Sequence, residues 1–250
     1  MLKLCLTLSL LAILGSASLA SASEVARSEV APQEIQLASE NLLFRDDFEN
    51  GLTRWKILDP ETWALEKVGK GQPNRASTSL AITHRRSKYQ PPHRSPKHVA
   101  LVKDLRVGDC QVEFRVLSSE DSGPHRDCCV FFGWQDPAHF YYVHLGAKPD
   151  AASGQIMIVD GAPRRPLTNN KRPVPWKDQH WHHVKLLRNT ESGHIAIYFD
   201  DMQKPLMTAT DKTFGVGQVG IGSFDDRCAF VGVVVQRNSS GQSTENHRPK

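Results

Sequence analysis

CQVEFRVLSSEDSGPHRDCCVFFGWQDPAHFYYVHL, residues Cys110 to Leu145, decides how the rest of the chain is read. Three runs in it, Gln111–Leu117, Cys129–Gln135 and His139–Leu145, are dense in β-branched and aromatic residues. They are split by SSEDSGPHRD and by DPA, whose residues favour chain reversal, so the stretch predicts three successive strands. Glu113, Arg115, Trp134, Tyr142 and His144 interleave there with apolar residues, the composition by which a sheet presents a binding surface. These five are the candidate ligand-binding residues.

Working outward, strand-like runs recur on both sides of this stretch. They are Asn41–Phe48, Trp63–Lys67, Ser79–Thr83 and Val99–Leu105 before it, and Gln155–Val159, His183–Asn189, His194–Asp200, Lys204–Thr210, Gln218–Ser223 and Ala229–Gln236 after it. In HIAIYFDD, Ile195, Ile197 and Phe199 point one way while His194, Ala196 and Tyr198 point the other. No amphipathic helix competes with them and no internal repeat is visible. Short strands punctuated by Gly and Pro predict an all-β sandwich rather than βαβ units.

The ends read differently. Residues 1–22 carry one lysine, an apolar run Leu4–Leu14 too short to span a bilayer, and Ala20-Ser21-Ala22, which together predict a signal peptide cut before Ser23. Residues 23–40 form a polar leader, 41–236 the domain, and 237–250 a disordered tail. The expectation is a secreted or periplasmic protein without a membrane span.

The formal charge of +4 is modest for 250 residues. Its basic residues gather in HRRSKYQPPHRSPKH (His84–His98) and APRRPLTNNKRP (Ala162–Pro173), both Pro-rich and both between strands. Solvated loops are the plain expectation; the alternative is a patch for an acidic polymer, a sulfated or uronic polysaccharide or a nucleic acid. Export makes nucleic acid the poorest of these partners. Export also makes Cys110, Cys128, Cys129 and Cys228 candidates for disulfides. If the last strand runs antiparallel beside Gln111–Leu117, Cys228 approaches Cys128 or Cys129, and one bridge is expected there.

The order of motifs resembles the concanavalin A-like lectin/glucanase superfamily. FRDDFENGLTRWKI (Phe44–Ile57) is similar to its entry strand, Val112–Arg115 to the following strand ending E-F-R, and FFGWQDPAHFYYVHLG (Phe131–Gly146) to its paired central strands. DQHWHHVKLLR (Asp178–Arg188) with GHIAIYFDDMQKPLMTATD (Gly193–Asp211) resembles the late hairpin, and GQVGIGSFDD (Gly217–Asp226) the closing segment. The likeness is nearest to laminin-G-like and 3-keto-disaccharide hydrolase-like domains of secreted bacterial proteins. It implies a two-sheet antiparallel jelly-roll sandwich that binds carbohydrate on a concave sheet. It also leaves open a glycoside hydrolase and a laminin-G-like adhesion module, since such folds host all three.

The glucanase signature of this fold, E-x-D-x-E on one strand, is absent: Arg115 stands where the second acid after Glu113 belongs. A hydrolase would draw its acid and base from Glu113, His144, Asp136 or Asp226, and no catalytic residue is assigned. Sugar recognition instead needs aromatic faces with a few polar groups, which Trp134, Tyr142 and His144 beside Glu113 and Arg115 would supply. Eleven histidines raise a zinc site, but strand-end histidines are expected to bond locally, and no metal is assigned. The resemblance implies structural calcium where Asp46-Asp47 and Asp225-Asp226 meet. Val231-Gly232 after Phe230 departs from the acidic residue usual there, favouring a plain Asp turn.

Overall fold

The structure, a computed structural model, describes residues 41–68, 78–119, 123, 126–170 and 172–238. The expected signal peptide and leader, and the tail beyond residue 238, lie outside the described residues. Fifteen strands run through the rest: β1 (Leu42–Asp46), β2 (Trp55–Ile57), β3 (Trp63–Lys67), β4 (Thr78–Ile82), β5 (His98–Val102), β6 (Cys110–Ser118), β7 (Cys129–Asp136) and β8 (His139–His144). Then come β9 (Gln155–Asp160), β10 (Arg165–Pro166), β11 (His182–Arg188), β12 (His194–Phe199), β13 (Met207–Thr210), β14 (Gln218–Ser223) and β15 (Cys228–Arg237). One sheet has the order β13-β12-β11-β6-β15-β4-β3, with β1 also paired to β15; the other runs β10-β9-β8-β7-β14-β5-β2. All the pairings are antiparallel, and the fold is a jelly-roll-like β-sandwich.

Alternation explains the first sheet. Along β6, Val112, Phe114 and Val116 are buried, and Gln111, Glu113, Arg115 and Leu117 are half-buried on the opposite side. Its neighbour β11 follows suit, with Val184 and Leu186 inward and His183, Lys185 and Leu187 outward. The inward set meets Val130, Phe132, Tyr141, Val143, Ile156 and Ile158 of the second sheet in one continuous core. Burying a side chain of this size contributes about 1.5–3 kcal/mol, so parity along each strand decides which face must turn inward.

β6 and β7 are not a hairpin. The segment after β6 carries the chain from the first sheet to the second, so Glu113 and Arg115 belong to a different layer from Trp134, Tyr142 and His144. β7 and β8 do form a hairpin: Asp136 faces His139 across Pro137-Ala138, and the Asp136 carboxylate accepts the Ala138 N–H at 2.7 Å, as an Asp-Pro turn requires.

In the second sheet both faces are apolar. Gly133 sits in a bulge at φ +56°, and the register between β7 and β8 shifts beside it. The extra residue moves Trp134 onto the same face as Phe131 instead of the opposite one. Gly217 permits the matching approach of the next strand: a Cβ there would lie 2.3 Å from the Gly133 carbonyl carbon. Trp134 and Phe131 join Val99, Leu101, Phe140, Tyr142, Met157 and Val159 in a second cluster on the outer face, with Tyr89 of the 83–97 segment packed against it.

The four cysteines of the domain are free and buried, so the expected bridge from Cys228 does not form. β15 does run antiparallel beside β6, with Cys228 opposite Ser118. Cys129, however, packs in the outer cluster, while Cys228 and Cys128 sit in the intersheet core as small apolar side chains. Burial pushes all four thiols up, Cys110 to about 12.

Candidate functional site

The turn from β14 to β15 is braced by two buried carboxylates. Asp127 Oδ1 accepts the Ser223 hydroxyl and the Phe224 N–H, each at 2.9 Å. Asp226 Oδ2 accepts the Ser118 hydroxyl at 3.1 Å and the Asp127 N–H at 3.3 Å. The chain entering β7 and the turn leaving β14 thus hold one another, and Phe224 is presented half-buried at the surface.

The two carboxylates are pushed apart in acidity. Burial works to raise Asp127, yet the facing His144 and the donors of Phe224 and Ser223 outweigh it and hold the group below the usual carboxylate value. Burial and the neighbouring Asp127 charge push Asp226 up to about 6. Asp127 Oδ2 and Asp226 Oδ1 are both buried without a hydrogen bond. The former lies 3.6 Å from His144 Nε2 and the latter 3.7 Å from the Arg85 guanidinium. His144 Nδ1–H donates to Ala152 O at 3.0 Å, fixing the ring with Nε2 toward Asp127.

Phe224 is where the two basic segments of the sequence meet. The Arg164 guanidinium stands 4.2 Å from its ring centre and that of Arg94 5.8 Å, while the His144 ring stacks on it at 5.4 Å and 20°. Arg164 also donates to the Tyr142 hydroxyl at 3.2 Å, which ties the outer cluster to the surface. Two hollows share Phe224, Asp225 and Arg94. One, about 670 Å³, is walled by Arg85, Arg86, His93 and Lys97; the other, about 360 Å³, by Asp127, His144, Lys148, Asp150 and Arg164. Together they form one groove over the outer face of the second sheet, able to hold a polar ligand with many hydrogen-bond acceptors.

Of the five sequence candidates, only His144 lines this groove. Trp134 and Tyr142 are buried in the outer cluster, 3% and 0% exposed, so neither offers a face to a sugar; Tyr142 meets the groove through its bond from Arg164, and Trp134 lies toward the other end of β7. Glu113 and Arg115 are on the outer face of the other sheet, and the five do not form one platform. Glu113 accepts from His183 Nε2 at 2.8 Å rather than pairing with Arg115, and this bond holds its carboxyl low. Of the acid/base candidates, Asp136 closes its own turn at the far end of β7, roughly 20 Å along the strand from Cys129. Asp226 is beside the groove. Asp127, Arg94, Arg164 and Phe224 were missed. The basic segments were visible, but nothing local to either announced that they converge.

The acidic pairs do not come together either. Asp46 lies opposite Val233, on the order of 15–20 Å along β15 from the Cys228 end where Asp226 sits. Its two oxygens accept the Phe48 N–H at 2.8 Å and the Trp55 indole N–H at 2.9 Å. Among the described residues one group of metal-ligating side chains converges, His180, His182 and Asp200. His180-Trp181-His182 is an H-x-H spacing that marks it in the sequence. Lys177 N–H donates to His182 Nε2 at 3.0 Å, so Nδ1 carries the proton and donates to Asp200 at 2.7 Å. A cation there would have to displace that proton.

The fold has counterparts among solved structures. Carbohydrate binding module CBM66 from Bacillus subtilis is 15% identical, with 74% of this chain and 97% of that one covered at a TM-score of 0.51. Domain 4 of AbnA, an extracellular GH43 arabinanase from Geobacillus stearothermophilus in complex with arabinotriose, is 10% identical, with 79% and 93% covered at 0.50. Xylan β-1,4-xylosidase from Bacillus halodurans C-125 is 16% identical, with 77% of this chain and 39% of that one covered at 0.50. At these identities the likeness is one of fold alone, a β-sandwich. No family model matches the chain, and no curated protein is similar to it in sequence. No helix among the described residues is long and apolar enough to cross a membrane.

Proposed function

We propose that the chain is an exported carbohydrate-binding module whose ligand lies in the groove around Phe224. The observation that carries this reading is the convergence of Arg94, Arg164 and His144 on one ring held by the Asp127 brace. Guanidinium forks present donors in fixed directions, which suits the hydroxyl and ring oxygens of a saccharide. The neighbours of this fold that are carbohydrate-binding modules or parts of glycoside hydrolases support the same class. The test is binding of the full chain to an immobilised saccharide panel, repeated with Phe224→Ala. That variant is expected to lose binding about tenfold or more by releasing Arg94 and Arg164. Undiminished binding would move the site elsewhere.

Asp127 and Asp226 favour a second reading, glycoside hydrolysis. Two linked carboxylates with opposed acidities are how acid and base roles are divided between like groups, and Asp127 lines the smaller hollow with His144. Release of reducing sugar from the ligands found in the panel would establish it. Hydrolysis that survives Asp127→Asn would take Asp127 out of the chemistry.

A further inference from the structure

We infer that the groove selects acidic saccharides, chains bearing carboxylate or sulfate groups, over neutral ones. This rests on the proposed carbohydrate-binding reading and narrows its ligand class.

Neutral sugars are held chiefly by stacking on flat aromatic faces. The groove has no such face to give. Tyr142 is buried under Arg164, Trp134 and Phe140 are buried toward the other end of the same strands, and Phe224 already lies against Arg164 and His144. What the walls present instead is positive charge drawn from three separate parts of the chain. The 83–97 segment supplies Arg85, Arg86, Arg94 and Lys97, the loop after β8 supplies Lys148, and the loop after β9 supplies Arg164.

Two of these cations, Arg94 and Arg164, are held against one ring rather than scattered. The Phe224 ring positions Arg94 and Arg164, and Arg164 is pinned further by the Tyr142 hydroxyl. The ring itself is fixed through its own N–H to Asp127. A guanidinium whose side chain is already ordered loses less freedom when it grips a planar carboxylate or a sulfate through two parallel N–H bonds.

The charge is also interrupted. Besides the buried Asp127, two exposed carboxylates, Asp225 and Asp150, stand in the same walls. A nucleic acid, with a phosphate at every residue, would meet both carboxylates. A sugar chain can carry its acid groups at intervals and place neutral hydroxyls against Asp225 and Asp150, where they donate hydrogen bonds.

The experiment is isothermal titration calorimetry of the full chain against four probes: an oligogalacturonate, a sulfated chondroitin oligosaccharide, a neutral arabino-oligosaccharide and a single-stranded DNA oligonucleotide. One or both acidic saccharides are expected to bind at least about tenfold more tightly than the neutral one, and the better of the two tells carboxylate from sulfate. Arg94→Gln, at an exposed position, is expected to weaken that binding by about tenfold or more, as loss of a charge-assisted bond does. Arg164→Lys, which keeps the charge and loses the fork, should weaken it less. Raising salt from about 0.05 to about 0.5 M should weaken acidic binding and leave neutral binding unchanged. Neutral binding as tight as acidic, indifferent to Arg94→Gln and to salt, would overturn the inference and leave the carbohydrate reading standing. Tighter binding of the oligonucleotide would overturn the saccharide class. No binding by any of the three saccharides would overturn both.

Discussion

On the outer face of the first sheet, β6 and β11 carry a half-exposed polar ladder. Gln111 and His183 donate to Glu113, and Lys185 lies 4.1 Å from the Tyr198 ring centre. On the outer face of the second sheet, β5, β7, β8 and β9 carry Leu101, Phe131, Trp134, Phe140, Tyr142 and Met157, almost wholly buried. Both faces belong to strands of similar length in one sandwich. The first meets water with its own side chains. The second is a subsidiary core with a charged groove laid over it. Polar residues on a strand therefore do not mark the face that carries the groove. The groove stands where a sheet is apolar on both sides, because only a covered face has loops above it to build walls.

The largest effect should come from opening that covered face. Trp134 stacks on Phe140 at 4.2 Å between ring centres and is 3% exposed. Trp134→Ala is expected to cost about 3–5 kcal/mol in denaturant unfolding, the value for a large side chain removed from a packed interior. A cost below about 1 kcal/mol would make the outer face of the second sheet a surface like the first.

Next is the brace. Asp127→Ala removes the acceptor for Ser223 and Phe224 and leaves His144 facing an empty position. A loss of about 2–4 kcal/mol is expected, since the donors left behind stay buried. The same variant should release Phe224, so ligand binding and stability fall together. Stability lost with binding intact would separate the turn from the groove.

The same two carboxylates predict a pH dependence of opposite signs. Asp226, raised to about 6 when folded, binds its proton more tightly in the native chain than in the unfolded one. Between about pH 4 and pH 6 the native state therefore holds more protons, and this group makes stability fall as pH rises. Asp127, held low, acts below that window, and its contribution is lost as pH drops through its folded value. Asp226→Asn is expected to remove a decline of up to about 2 kcal/mol between pH 4 and 6. Urea unfolding at several pH values checks it; an unchanged slope would mean that Asp226 is ionised throughout.

What could be read from the residues alone follows the same division. β3 and β14 begin and end where alternation and turn residues put them, and β6, β7, β8 and β11 lie within a residue of expectation, because both signals are local. Sheet membership was not local. Pairing of β6 with β15 and β11, instead of β7, is settled by contacts far along the chain. The face of Trp134 turned on one glycine, since the bulge at Gly133 reverses parity midway along an all-apolar strand. Asp127 looked like one more polar residue in a long turn-rich segment. The basic segments were plain as charge, but their meeting at Phe224 depends on which strands flank β14.

The smallest predicted effect tests the face that sequence patterning favoured. Glu113 and His183 are each partly exposed, 29% and 24% by side chain, so their bond is screened by water. Glu113→Gln keeps the shape and removes the charge that His183 faces. A cost of about 0.5 kcal/mol is expected, small because solvent can replace either partner. Glu113→Gln and Arg115→Gln should both leave saccharide binding unchanged, because these residues and the groove lie on opposite outer faces of the sandwich. If either one weakened binding as much as Arg94→Gln, the ligand would be seated on the polar ladder, and charge displayed openly on a strand would again mark the working face.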